Sequence, residues 1–152
     1  MLEKLLFRAT QGLVYSALLV GFVIWATMPW MMDTYILWFM RLRIIDSVYR
    51  TGLLLFVMIV GAGAIWITAE MALMLRTVIS DPFVARNARA LYRAGVAALL
   101  IGLAFFVRCL RYMSPMALAV AAMLLMLGLC ALVVGALFRR AVEFKKENDL
   151  TI

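Results

Sequence analysis

The chain has 152 residues, of which 68% are hydrophobic and 15% are charged, and its mean hydropathy is +1.07. A water-soluble domain of this size would expose too much apolar surface, so the composition excludes an ordinary soluble protein and predicts lipid as the main solvent. The formal net charge of +7 is therefore interpreted first as a topology signal. We expect no direct nucleic-acid partner.

Four apolar runs predict four membrane-spanning helices, with approximate spans 13–30, 52–75, 94–112 and 115–138 and a tail over 139–152. The third run is the shortest, and by length alone it would also suit a re-entrant segment. Charge favours a full crossing: four spans place ten basic residues on one side and five on the other, whereas a non-spanning third run gives eight against seven. We therefore predict an all-α, single-domain, four-helix transmembrane bundle with short amphipathic helical connections and both termini cytoplasmic.

The outer connection, 33–51, is expected to form an amphipathic helix lying on the membrane surface. Its apolar face comprises Trp38, Leu42, Ile45 and Tyr49. Trp25, Trp30 and Trp38 are placed near the aromatic belt at the membrane interface. Capture of a ligand by this loop is the alternative interpretation.

The inner connection carries a helix-start signal followed by a basic face. Asp81 is a good N-cap and Pro82 a good first helical residue. The basic face comprises Arg86, Arg89 and Arg93. We expect this face to contact anionic lipid of the cytoplasmic leaflet, at roughly 1 kcal/mol per basic residue. An acidic protein partner is the alternative.

The chemistry of catalysis is missing from the sequence, which contains no histidine, no paired carboxylates on one span and no glycine-rich phosphate loop. We predict that the protein is not an enzyme and has no catalytic residue, metal site or cofactor. Cys109 and Cys130 are expected to be buried, unpaired thiols. Small residues at four-residue spacing, such as Ala98 with Gly102 and Ala131 with Gly135, favour packing within the chain over formation of a homo-oligomer.

Glu70 is the only acidic residue inside an apolar run. Carboxylates within a membrane are costly and usually paired. We expect an ion pair with Arg93 or with Arg139. The alternative is a coupling site in a small transporter or transport-complex subunit.

The tail begins with the basic residues Arg139, Arg140, Lys145 and Lys146. It then reverses charge and ends with Glu147, Asn148, Asp149, Leu150, Thr151 and Ile152. An extended terminus of this kind would add a strand to the sheet edge of a partner. A frayed, solvated helix end is the alternative.

Two segments resemble the bacterial membrane-protein family catalogued as domain of unknown function 2975. The tail sequence F-R-R-A-V-E-F-K-K-E-N-D-L-T-I, from Phe138 to Ile152, is similar to its closing signature. Asp81 to Gly95 resembles its central P-F-x-x-x-N-x-x-x-L-x-x-x-G element, and Met28-Pro29-Trp30 also matches. Phe144 departs from the leucine more common in the family. The matching positions are Pro82, Phe83, Asn87, Leu91, Gly95 and Glu147 to Thr151.

The resemblance implies a four-helix protein of the bacterial inner (cytoplasmic) membrane, often encoded beside a small helix-turn-helix transcription regulator. The first functional hypothesis is a membrane-bound regulatory or interaction protein whose inner loop and tail dock such a partner. Its candidate partner or lipid contacts are Arg86, Asn87, Arg89, Arg93 and the residues from Glu147 to Ile152. The second hypothesis is transport with Glu70 as the intramembrane polar site. The third is self-immunity against a membrane-active peptide.

Overall fold

The protein is almost entirely helical in a computed structural model that describes residues 2–39, 46–78 and 84–150, with side chains described over 5–38, 46–77 and 84–148. The helices are α1 (Leu2–Phe39), α2 (Ser47–Val78), α3 (Ala85–Arg111) and α4 (Pro115–Leu150). All four are long and apolar enough to cross a membrane. The predicted all-α, four-helix fold is confirmed, and the chain is a multi-pass membrane protein.

The third helix is a complete crossing by length. α3 has 27 residues, which at about 1.5 Å per residue makes about 40 Å, more than the roughly 30 Å of the hydrocarbon layer. Arg93 and Arg108 bracket its central apolar run. An unbroken helix of this length contains no re-entrant turn, which agrees with the crossing that the charge distribution predicts.

The helices pack in chain order. α2 lies against α1 and α3, and α4 lies against α3, whereas in the described residues the backbones of α1 and α4 do not approach within 8 Å. Between α1 and α2 the core consists of Met32, Ile36 and Leu53. Each terminal helix therefore has one helical neighbour and presents its remaining surface to lipid or to another protein.

The backbones of α3 and α4 approach each other closely, and glycine residues allow this approach because they have no side chain. A Cβ atom added to Gly95 would lie 3.0 Å from the Gly128 carbonyl oxygen, and one added to Gly128 would lie 3.0 Å from the Gly95 oxygen. Gly102 and Gly135 extend the contact in both directions. The expectation that small residues serve packing within the chain is confirmed here. On α1, by contrast, a Cβ added to Gly12 or Gly21 would meet nothing within 4 Å.

Trp25, which the sequence placed near the interfacial belt, packs against α2. Its indole lies over Gly61, where an added Cβ would be 2.5 Å from Trp25 Cδ1. Its Nε1–H donates a hydrogen bond to the Met58 carbonyl at 2.9 Å. A buried indole N–H needs such a partner. Trp30 and Trp38 are exposed, as a belt requires.

The outer connection also differs from the prediction. Residues 33–39 are the last turns of α1 and residues 47–51 are the first turn of α2, so these residues form no separate surface helix. Because α1 continues to Phe39, Met32 and Ile36 are completely buried. A helix lying on the membrane surface would not bury them against α2. Asp33 and Arg50 join the two helices, with Nη2 to Oδ2 at 3.2 Å. Leu42 and Ile45 lie outside the described residues.

The start of α3 and one cysteine require corrections. α3 begins at Ala85 with Val84 in the N-cap position, whereas the sequence placed the helix start at Asp81 and Pro82, which lie outside the described residues. Both cysteines are free, as expected. Cys109 is buried, but Cys130 is exposed, because it faces away from the single helix that packs against α4.

Candidate functional site

The structure brings together two basic segments that are far apart in the sequence. Arg89 and Arg93 near the start of α3 line a groove of about 580 Å³ with Arg139 and Arg140 near the end of α4. We call this region the basic end. The antiparallel packing of α3 on α4 determines the juxtaposition, since Gly135 lies where an added Cβ would be 3.5 Å from the Ala88 carbonyl oxygen.

The floor of the groove is apolar and built from small residues. Ala88, Leu132, Gly135 and Ala136 line it, and Tyr92 lies beside it with its ring largely exposed. None of the lining residues is acidic. The groove therefore combines guanidinium hydrogen-bond donors with a surface suited to hydrocarbon.

Arg93 forms the ion pair that the sequence predicts for Glu70. The distance from Arg93 Nη2 to Glu70 Oε1 is 3.0 Å, and to Oε2 it is 3.1 Å. The Glu70 side chain is 10% exposed and the Arg93 side chain 53% exposed. Of the two expected partners, Arg139 instead lies 3.5 Å from Glu143 on its own helix. The buried carboxylate is thus neutralised by an arginine that still reaches the groove.

Asn87 does not belong to the exposed contact surface that the sequence assigned to it. It is 1% exposed, and its Oδ1 accepts a hydrogen bond of 2.6 Å from the Thr77 hydroxyl. Its backbone N–H donates to the Val84 carbonyl at 2.9 Å. The prediction of a partner or lipid contact is wrong for this residue, because its amide ties the end of α2 to the start of α3.

Replacing Asn87 by alanine is expected to destabilise the protein by about 1–3 kcal/mol, because a buried amide and its hydrogen bond are lost. Thr77→Val should cost only about 1 kcal/mol, and the double variant less than the sum of the two. Thermal unfolding in one detergent would measure all three. Strict additivity would show that the two side chains do not act as a pair.

Of the two interpretations of the tail, an extended terminus and a helix end, the structure agrees with the helix end as far as Leu150. α4 continues to Leu150, so residues 139–150 add about 18 Å of helix beyond Phe138. Glu147 and Asn148 are exposed on this extension. Asp149 and Leu150 lie within the helix, so an extended conformation is not present there. Thr151 and Ile152 lie outside the described residues.

Phe144 is a feature that sequence reasoning noted only as a departure from a family pattern. Its side chain is 71% exposed on the helical extension, next to Glu143 and Lys145. Val142, two residues earlier, is buried. An exposed aromatic ring among charged residues is a common anchor in protein interfaces. The signal available in the sequence was a single phenylalanine within an otherwise charged segment.

At the other end of α3, away from the basic end, lies an aromatic cluster that the sequence did not predict. The Arg108 guanidinium lies 4.8 Å from the Phe56 ring centre and 5.2 Å from that of Tyr112. Tyr49 and Tyr112 meet edge to face at 5.4 Å. These contacts hold α2 against α3 and stabilise a cation at the end of an apolar helix.

The fold and the basic end define a multi-pass α-helical membrane protein with an arginine-lined groove at one end of its helices. In the described part of the chain, no group of three or more His, Cys, Asp or Glu residues could hold a metal ion. No protein-family model, curated protein or solved structure matches the chain. Membership of the family that the tail resembles therefore stays a prediction.

Proposed function

We propose that this chain is a non-enzymatic interaction protein of the bacterial cytoplasmic membrane that docks a cytoplasmic protein at its basic end. The observation that carries the proposal is the convergence of α3 and α4. The groove joins Arg89 and Arg93 to Arg139 and Arg140, and from this point α4 projects as a helix with Phe144 exposed.

The charge distribution supports a cytoplasmic position for this end. The basic residues at the start of α3 and those of the tail lie at the same end of the helices. The positive-inside rule assigns an end with excess basic residues to the cytoplasm. Both chain termini then lie in the cytoplasm as well, because four crossings return the chain to its starting side.

The projecting helix supports helix-in-groove recognition in place of strand addition. Such a helix supplies an apolar anchor to a groove on its partner, and surrounding polar groups orient it. Phe144 is the exposed apolar group, with Lys145, Glu147 and Asn148 beside it. The resemblance favours a small helix-turn-helix regulator as the partner, which would be kept from DNA while it is held at the membrane.

Crosslinked affinity purification from native membranes tests the docking. The full chain should recover one cytoplasmic protein, and deletion of Glu147–Ile152 should abolish that recovery without affecting membrane insertion. Phe144→Ala should reduce recovery about tenfold or more, since loss of an aromatic anchor costs on the order of 2 kcal/mol.

Leu137→Ala provides the matched control, because Leu137 is an exposed apolar residue of α4 two turns earlier, within the apolar span. It should leave partner recovery unchanged. Equal recovery by the full chain, the truncated chain and the Phe144→Ala variant would refute docking through the tail.

Transport through Glu70 is the second candidate and has weaker support. Its buried carboxylate suits a coupling site, but both of its oxygens lie within hydrogen-bonding distance of Arg93. Immunity against a membrane-active peptide has no residue in the described structure that favours it.

A further inference from the structure

We propose that the groove between α3 and α4 is a binding site for one anionic phospholipid, with the lipid phosphate held by Arg89 and Arg140 and an acyl chain lying on the floor formed by Ala88, Leu132 and Ala136. General attraction of basic residues to a membrane surface requires no groove. The structure assigns the lipid to a defined place, and this assignment stands independently of partner docking.

The electrostatics of the groove match an anionic headgroup. Four arginines line it, and the adjacent carboxylates Glu70 and Glu143 neutralise two of them, which leaves a net charge of plus two. Arg93 and Arg139 keep side-chain exposures of 53% and 79% despite these pairs. Guanidinium groups bind phosphate oxygens through two parallel N–H donors.

The depth of the groove distinguishes a lipid from a soluble anion. Leu132 and Ala136 precede Arg139 on α4, and the step from Leu132 to Arg139 spans about 10 Å along the helix. On α4 the apolar floor thus extends toward the hydrocarbon layer, and Arg139 and Arg140 lie at its outer end. A phospholipid likewise has an apolar acyl chain in the hydrocarbon layer and an anionic phosphate at its surface. A free phosphate would use the rim alone.

The floor is open enough for an acyl chain because its residues are small. Gly135 faces the backbone of α3, where an added Cβ would lie 3.4 Å from the Tyr92 nitrogen, and Ala88 and Ala136 line the groove beside it. Tyr92 lies beside the groove with 57% of its surface exposed. A tyrosine in this position suits the membrane interface, since its ring contacts hydrocarbon and its hydroxyl contacts polar headgroups.

Native mass spectrometry of the full-length protein in detergent tests the site, with dioleoylphosphatidylglycerol and dioleoylphosphatidylcholine as probes. One phosphatidylglycerol should bind in preference to phosphatidylcholine. Arg89→Gln should weaken that binding about fivefold, which corresponds to the loss of one basic residue near a lipid headgroup. Ala136→Leu should weaken it too, because it fills the floor without changing any charge.

The sequence assigned Arg86 to the same lipid-contacting face, but this arginine, although exposed on the first turn of α3, does not line the groove. Arg86→Gln is therefore the matched control. It should leave the affinity unchanged. Equal losses in Arg86→Gln and Arg89→Gln, or no preference for phosphatidylglycerol, would overturn the proposal. So would full competition by glycerol 3-phosphate, which would indicate a free-anion site. The chain lacking Glu147–Ile152 should still bind the lipid, so failure of docking and failure of this site are separable.

Discussion

Gly128→Ala is expected to destabilise the protein by about 1–3 kcal/mol, the usual range for overpacking a tight interior contact. The added Cβ would lie 2.7 Å from Leu99 Cγ and 3.0 Å from the Gly95 carbonyl oxygen. Leu99 can rotate away, but the Gly95 backbone cannot move without separating α3 from α4. Thermal unfolding of the purified protein in detergent would measure the loss.

Gly21→Ala is the matched control. Gly21 is also a helical glycine in a membrane-spanning segment, but a Cβ there would meet nothing within 4 Å. Alanine has the higher helix propensity by about 1 kcal/mol in peptides, so this variant should be as stable as the parent protein or more stable. Similar losses in both variants would mean that the α3–α4 contact is not the tight interface described here.

Arg93→Met is expected to cost more stability than Glu70→Met, although both remove the same ion pair. Arg93→Met leaves a carboxylate that is 10% exposed without its cation, and breaking a buried pair in this way costs about 3 kcal/mol or more. Glu70→Met leaves an arginine whose side chain is 53% exposed. That cation can turn toward water or lipid phosphate, so we expect a loss of about 1 kcal/mol or less.

Denaturation of the two single variants and the double variant in one detergent would measure this asymmetry. The double variant should recover most of the stability lost in Arg93→Met, because the uncompensated carboxylate is gone. Equal losses in the single variants would contradict the assignment of Glu70 as the buried partner. The Glu70→Gln variant in vesicles distinguishes a structural role of Glu70 from a role in transport. If this variant has normal stability but moves protons or substrate across the membrane more slowly, the result would favour the transport hypothesis.

The order of helix packing bears on assembly. α1 and α4 each contact one neighbour, and large apolar side chains such as Leu19, Val133 and Leu137 remain exposed on them. Lipid can cover these faces, since the bilayer is as apolar as the side chains themselves. A homo-oligomer that covers these faces stays the alternative to the packing within the chain that the sequence favours.

The sequence alone determined the membrane environment, the number of helices and the crossing of the third segment. These properties follow from composition, from the length of each apolar run and from charge counted along the chain, none of which requires knowing how the helices pack. It also determined that Glu70 would require a cation, because an unpaired carboxylate is costly in an apolar span. The partner remained open between Arg93 and Arg139.

Only the tertiary structure decided which residues meet. Helix packing selected Arg93 for Glu70 and placed Trp25 over Gly61. It buried Asn87 against Thr77 and left Phe144 exposed on a continuous helix. The α3–α4 groove likewise depends on Gly135 and Ala88, which are far apart in the chain. Periodicity gives the faces of a single helix, but the rotation and register between two helices come from side chains of both.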